Sequence, residues 1–72
     1  MSNLLTTRVG SSVKVEIQDD SNPNGTLPNY GNVTPAADGG FYWHIASGQS
    51  GHAATESLAV RAAARAIRKA AS

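Results

Sequence analysis

Arg61, Arg65, Arg68 and Lys69 recur at spacings of four, seven and eight residues. On a helix of about 3.6 residues per turn that spacing gathers four cations on one side. A stripe of this kind attracts phosphates or an acidic patch on another protein. It is also the ordinary outer face of an amphipathic helix, and the spacing alone does not separate the two. Leu58 projects near the same stripe, either over a sheet edge or as an exposed contact beside the cations.

The other reactive side chains form no recognisable catalytic or metal-binding set. His44 and His52 are the only histidines, cysteine is absent, and no ligand spacing suggests a metal site. No serine sits in a Gly-x-Ser-x-Gly elbow. Gly48-x-x-Gly51 precedes a helix but lacks the lysine and the spacing of a phosphate loop, so it reads as a plain turn. A chain of 72 residues has little material for an enclosed pocket. No catalytic residue, metal or cofactor is expected, and the chain is not read as an enzyme.

The elements that position the stripe follow from periodicity. Ser12–Gln18 alternates, with Val13, Val15 and Ile17 on one side and Lys14, Glu16 and Gln18 on the other, the pattern of a half-buried strand. Leu4–Val9 is compatible with a strand, and Gly10-Ser11 turns it back, giving a hairpin over 1–18. Residues 19–40 hold all three prolines with Asn-Pro and Asn-Gly dipeptides, and read as a long loop in which Tyr30 is the natural anchor for a partner. Tyr30–Thr34 has the composition for a short edge strand within it. Residues 41–46 form a strand, with Phe41, Trp43 and Ile45 on the core side and Tyr42 and His44 on the other.

Residues 55–70 form the helix, capped by Thr55, with Glu56 in its first turn and cations toward its end, as the helix dipole favours. Ala59, Val60, Ala63, Ala66, Ile67 and Ala70 share its inner arc. Charge follows the same division. Residues 56–72 set Arg61, Arg65, Arg68 and Lys69 against Glu56, a balance of +3. Residues 1–55 set Arg8 and Lys14 against Glu16, Asp19, Asp20 and Asp38, a balance of −2.

The run from Gly48 to Ile67 resembles the last strand-end and helix of a double-stranded RNA-binding domain, with its glycine-bearing turn, Ser/Thr cap and alanine-rich helix. That family carries a Lys-Lys pair just after the cap, which grips phosphates. Here Glu56 and Ser57 stand there, and the family's amino-terminal helix has no counterpart. The resemblance implies shared packing rather than shared RNA binding. In size and layout, Gly39–Ile67 is similar to small proteins of phages and mobile elements, including anti-CRISPR inhibitors. That likeness implies stoichiometric binding to a host protein assembly, and it carries over no functional residue.

The expected fold is α+β: a three-stranded antiparallel sheet (β-β-long loop-β) packed by one C-terminal alanine-rich helix, in a single domain over 1–72. The expected function is non-catalytic binding, as an inhibitor of a host protein complex with an acidic or nucleic-acid-binding surface. Arg61, Arg65, Arg68, Lys69 and Leu58 form the partner surface, with Tyr30, Tyr42 and His44 as a second patch. The alternatives are a nucleic-acid-binding accessory protein using the same stripe, or a small homodimeric or larger homo-oligomeric structural protein. The absence of cysteine favours a reducing, cytoplasmic setting, and neither a signal peptide nor a membrane span is expected.

Overall fold

The computed structural model describes residues 3–19 and 21–71, so Met1, Ser2, Asp20 and Ser72 lie outside them. Strands β1 (Leu4–Val9), β2 (Ser12–Asp19), β3 (Asn22–Thr26), β4 (Gly31–Pro35), β5 (Phe41–Ile45) and β6 (Ser50–Ala53) precede one helix, α1 (Glu56–Ala71). All pairings are antiparallel, in the order β1-β2-β4-β5-β6, with β3 also paired to β2. An α+β chain with one C-terminal helix on an antiparallel sheet is thus what the structure shows. Among the described residues the sheet has six strands rather than three.

The first hairpin closes tightly because Gly10 takes a φ of 62°, while no other residue type among those described has positive φ. A glycine first and an ordinary residue second is the requirement of a two-residue type II′ turn, whose twist matches the flanking strands. Val9 pairs with Ser12, and the register continues to Leu4 opposite Ile17.

About half of the expected loop over 19–40 is strand. Ser21 donates its backbone N–H to Asp19 Oδ1 at 2.9 Å, an Asx-type contact that turns the chain into β3. β3 pairs only with β2, and a strand paired on one side tolerates the missing N–H of Pro23. The Leu27 N–H then donates to the Ile17 carbonyl at 2.8 Å, and Gly31 pairs with Val15. Pro28, Asn29 and Tyr30 therefore bulge opposite Glu16 alone, and β3 and β4 are two halves of one interrupted strand beside β2. β4 lies between β2 and β5, so the segment expected as a short edge strand over Tyr30–Thr34 is, from Gly31 onward, a central strand.

The core lies between the sheet and α1. Val13, Val15, Ile17, Val33 and Ile45 meet Ala59, Ala63, Ala64, Ala66 and Ile67, with Phe41, Trp43 and Val60 packed around them. Alanines let the helix come close: a β-carbon on buried Gly31 would lie 3.1 Å from Ile45 Cγ2 and 3.4 Å from Ala63 Cβ. The inner arc differs from the expected one at two positions, since Ala64 is buried and Ala70 is exposed. Thr55 caps the helix, its Oγ1 accepting from the Leu58 N–H at 3.2 Å. Among the described residues no helix is long and apolar enough to cross a membrane.

Candidate functional site

The helix covers β2, β4, β5 and β6, whereas every residue of β1 is exposed. A trough therefore opens between β1 and the near flank of α1, in two stretches of about 340 Å³ each. Its direction is set by its ends. Arg8 Nη2 donates to Glu56 Oε1 at 2.6 Å near the start of the helix. Leu4 lies by Arg61, Ala64, Arg65 and Arg68 further along. β1 thus runs antiparallel to α1, with Leu4, Thr6, Val13 and Val60 along the trough between them.

The helix turn divides the expected stripe. Arg61, Arg65 and Arg68 border the trough. Arg65 sits on the crest of the helix and also borders a hollow toward β6, where Lys69 lies with Trp43 and Gln49. Leu58 is 49% exposed, on the crest beside Arg61, Ala62 and Arg65. The hollow it lines is bordered by helix residues alone, so Leu58 is exposed beside the cations rather than set over a sheet edge there.

Carboxylates are close at hand but engaged elsewhere. Glu56 holds Arg8, and Glu16 lies on the far face with Lys14 at 3.9 Å. Among the described residues no carboxylate meets Arg61, Arg65 or Arg68. Three neighbouring guanidiniums raise each other's electrostatic energy, and a bound anion would relieve that.

The second expected patch lies on the opposite side of the sheet. The strand register aligns Thr7, Lys14, Asn32, His44 and Ser50 in one row across the outer face. Tyr42 and His52 form the next row and meet edge to face at 5.0 Å. Lys14 Nζ stands 5.2 Å from the Tyr30 ring centre. Among the described residues no helix or strand covers this face, since β3 and β4, which span much of the expected loop, pair within the sheet. Tyr30, Tyr42 and His44 therefore share a face with one another but not with the arginines, and one flat partner surface could not touch both sets.

His52 is occupied structurally: its Nε2 lies 3.2 Å from the Gly39 carbonyl oxygen and 3.9 Å from Asp38 Oδ1, which ties the β4–β5 loop to β6. Among the described residues no three His, Asp or Glu side chains converge as a metal ion would require.

The sequence reading missed Leu4 and Arg8. The available signal was the alternation Leu4-Thr6-Arg8, which puts an apolar residue and a cation on the helix side of β1 once its register with Val13, Val15 and Ile17 is known. A scan against protein-family models, and searches of curated proteins and of solved structures, found no match to this chain.

Proposed function

We propose that this chain is a non-catalytic binding protein that holds an acidic partner protein along the β1 flank of its helix. The observation that carries the reading is the grouping of Arg61, Arg65 and Arg68 around Leu4 and Ala64, with no carboxylate on the three guanidiniums among the described residues. Cations bordering a partly apolar trough suit a protein surface, where guanidiniums meet carboxylates and Leu4 and Leu58 meet aliphatic groups.

Two further observations support it. None of the buried side chains among the described residues is polar or charged, so desolvated groups of the kind that perform acid–base or nucleophilic chemistry are lacking there. The cationic row is also short. Arg61 to Arg68 spans about 10 Å of helix at roughly 1.5 Å per residue. That length meets about three phosphates, against roughly six to ten in proteins that hold nucleic acid firmly by backbone charge. Occupying a site on a host assembly, as the small phage and mobile-element inhibitors do, is the mode of action this reading carries.

The test is retention of protein from nuclease-treated lysate by the wild type and by Arg61→Glu/Arg65→Glu, with titration of labelled single- and double-stranded nucleic acid in parallel. A protein retained by the wild type and lost by the variant supports the reading. Nucleic acid bound in its place, with log affinity falling against log salt at a slope of about −3, replaces it with the nucleic-acid reading. Equal behaviour of the two chains reduces the stripe to a solvated face.

A further inference from the structure

The arginine flank borders a strand whose outer edge is open. The Gln18 N–H donates to the Asn3 carbonyl at 2.8 Å, which makes that pair a hydrogen-bonded one. Hydrogen-bonded pairs alternate along an antiparallel ladder, so Leu5, Thr7 and Val9 also turn their backbone groups toward β2. The N–H and C=O groups of Leu4, Thr6 and Arg8 therefore point outward, and β1 is the last strand of the sheet on this side. The side chains of the same three residues face the trough. Backbone edge and trough together offer two kinds of contact to an extended chain, a ladder and a row of side-chain sites.

We propose that β1 accepts an extended acidic segment of a partner protein as an added strand, with alternate carboxylates of that segment meeting Arg61, Arg65 and Arg68. The proposal rests on the reading of this flank as the binding surface and names the form of what binds there. Spacing supports it. Same-face side chains of a strand recur every 6.6 Å or so, and Arg61 and Arg65 are about 6 Å apart along the helix, so two successive same-face carboxylates fall in step with these two guanidiniums, with Arg68 about 4.5 Å further along.

Charge argues against a second copy of this chain as the occupant. A two-fold pairing centred on Thr6 satisfies all three outward residues, with Leu4 opposite Arg8 of the other copy. It also brings Arg8 of the other copy, already engaged with its own Glu56, into the corner that holds Arg61, Arg65 and Arg68, and so supplies those three with no free carboxylate. An acidic strand meets the same backbone edge with the opposite charge.

The experiment uses a labelled nine-residue peptide alternating Glu and Val, with its Lys–Val counterpart as control. Both are titrated against the full-length wild type, Thr6→Pro and Arg61→Glu/Arg65→Glu. Thr6→Pro removes an N–H that points away from β2, so the β1–β2 ladder keeps its bonds. The wild type is expected to bind the acidic peptide only, and each variant to lose at least about tenfold in affinity. Hydrogen exchange of the wild-type complex supplies a readout independent of any variant's folding: the Leu4, Thr6 and Arg8 amides should gain protection, while those of Leu5, Thr7 and Val9 change little.

Binding that survives Thr6→Pro but not the arginine reversal, with no gain at those three amides, overturns the added strand while leaving the arginine surface intact. Absence of binding to the wild type overturns the proposed ligand class. A wild-type dimer that Thr6→Pro converts to monomer assigns the edge to a second copy and overturns the acidic segment.

Discussion

Trp43 is the single tryptophan of the chain, and it lies against a position with no side chain. Gly51 pairs with Trp43 across β5 and β6, and a β-carbon at Gly51 would lie 2.7 Å from the indole Nε1 and 2.8 Å from Cε2 and Cζ2. Gly51→Ala therefore forces the indole to shift from its seat over Gly51. Overfilling a packed contact costs about 1–3 kcal/mol. Replacing glycine by alanine returns about 0.4–1 kcal/mol through the unfolded chain. The net loss is then between about 0 and 2.6 kcal/mol, against a total of about 4–11 kcal/mol for a domain of this length. At about 4–8 °C per kcal/mol the thermal midpoint should fall by up to about 20 °C. Denaturant unfolding followed by the emission of Trp43 measures both effects, and native-state emission should shift to the red as the ring gains water. In a Trp43→Leu background the clash is gone, and Gly51→Ala should be neutral or mildly stabilising, as followed by circular dichroism. An unchanged midpoint and emission in the Trp43 chain, or an equal loss in both backgrounds, would refute the seating of the indole on Gly51.

Two other positions give direct checks on the frame that holds the arginines. Ile67 is fully buried between helix and sheet, and Ile67→Ala should cost about 2–5 kcal/mol, read from chemical denaturation. A loss below about 1 kcal/mol would mean that the helix is rotated and the arginines point elsewhere. Thr55→Ala removes the oxygen that accepts the Leu58 N–H and should cost about 0.5–2 kcal/mol, most of it recovered by Thr55→Ser.

Much of the frame could be read from local pattern. Ser12–Gln18 announces its buried face through Val13, Val15 and Ile17, and Thr55 marks the start of the helix one residue before Glu56. The helix phase was harder to place. Alanine stands at 59, 62, 63, 64, 66, 70 and 71, so only Val60, Ile67 and the cations orient it. Ala64 and Ala70 consequently exchange places between expectation and structure. β6 escaped because its inward positions are Gly51 and Ala53, small enough to accept Trp43 and therefore without an apolar signature. β3 escaped because Pro23, Gly25 and Pro28 resemble a loop one residue at a time, while β4 was legible only as a short edge strand over Tyr30–Thr34. They become strand through pairing with β2 and through the close approach of Ala63 to Gly31.

The site was legible in half. The arginines carry their own periodicity, whereas Leu4 and Arg8 reach them only through pairings that no local window contains. The Arg8–Glu56 contact joins residues 48 positions apart. With Arg8 58% and Glu56 35% exposed, that pair contributes at most about 1 kcal/mol to stability. Its larger effect is geometric, since it occupies the one carboxylate of the helix and leaves the near flank cationic. β1 itself adds little to the core: Leu4 is 40% exposed and Leu5 43%, and the helix covers neither. A strand that contributes so little to burial thus stands, with an outward ladder edge, beside three arginines that no carboxylate meets among the described residues, and this is the arrangement that the proposed added strand would use.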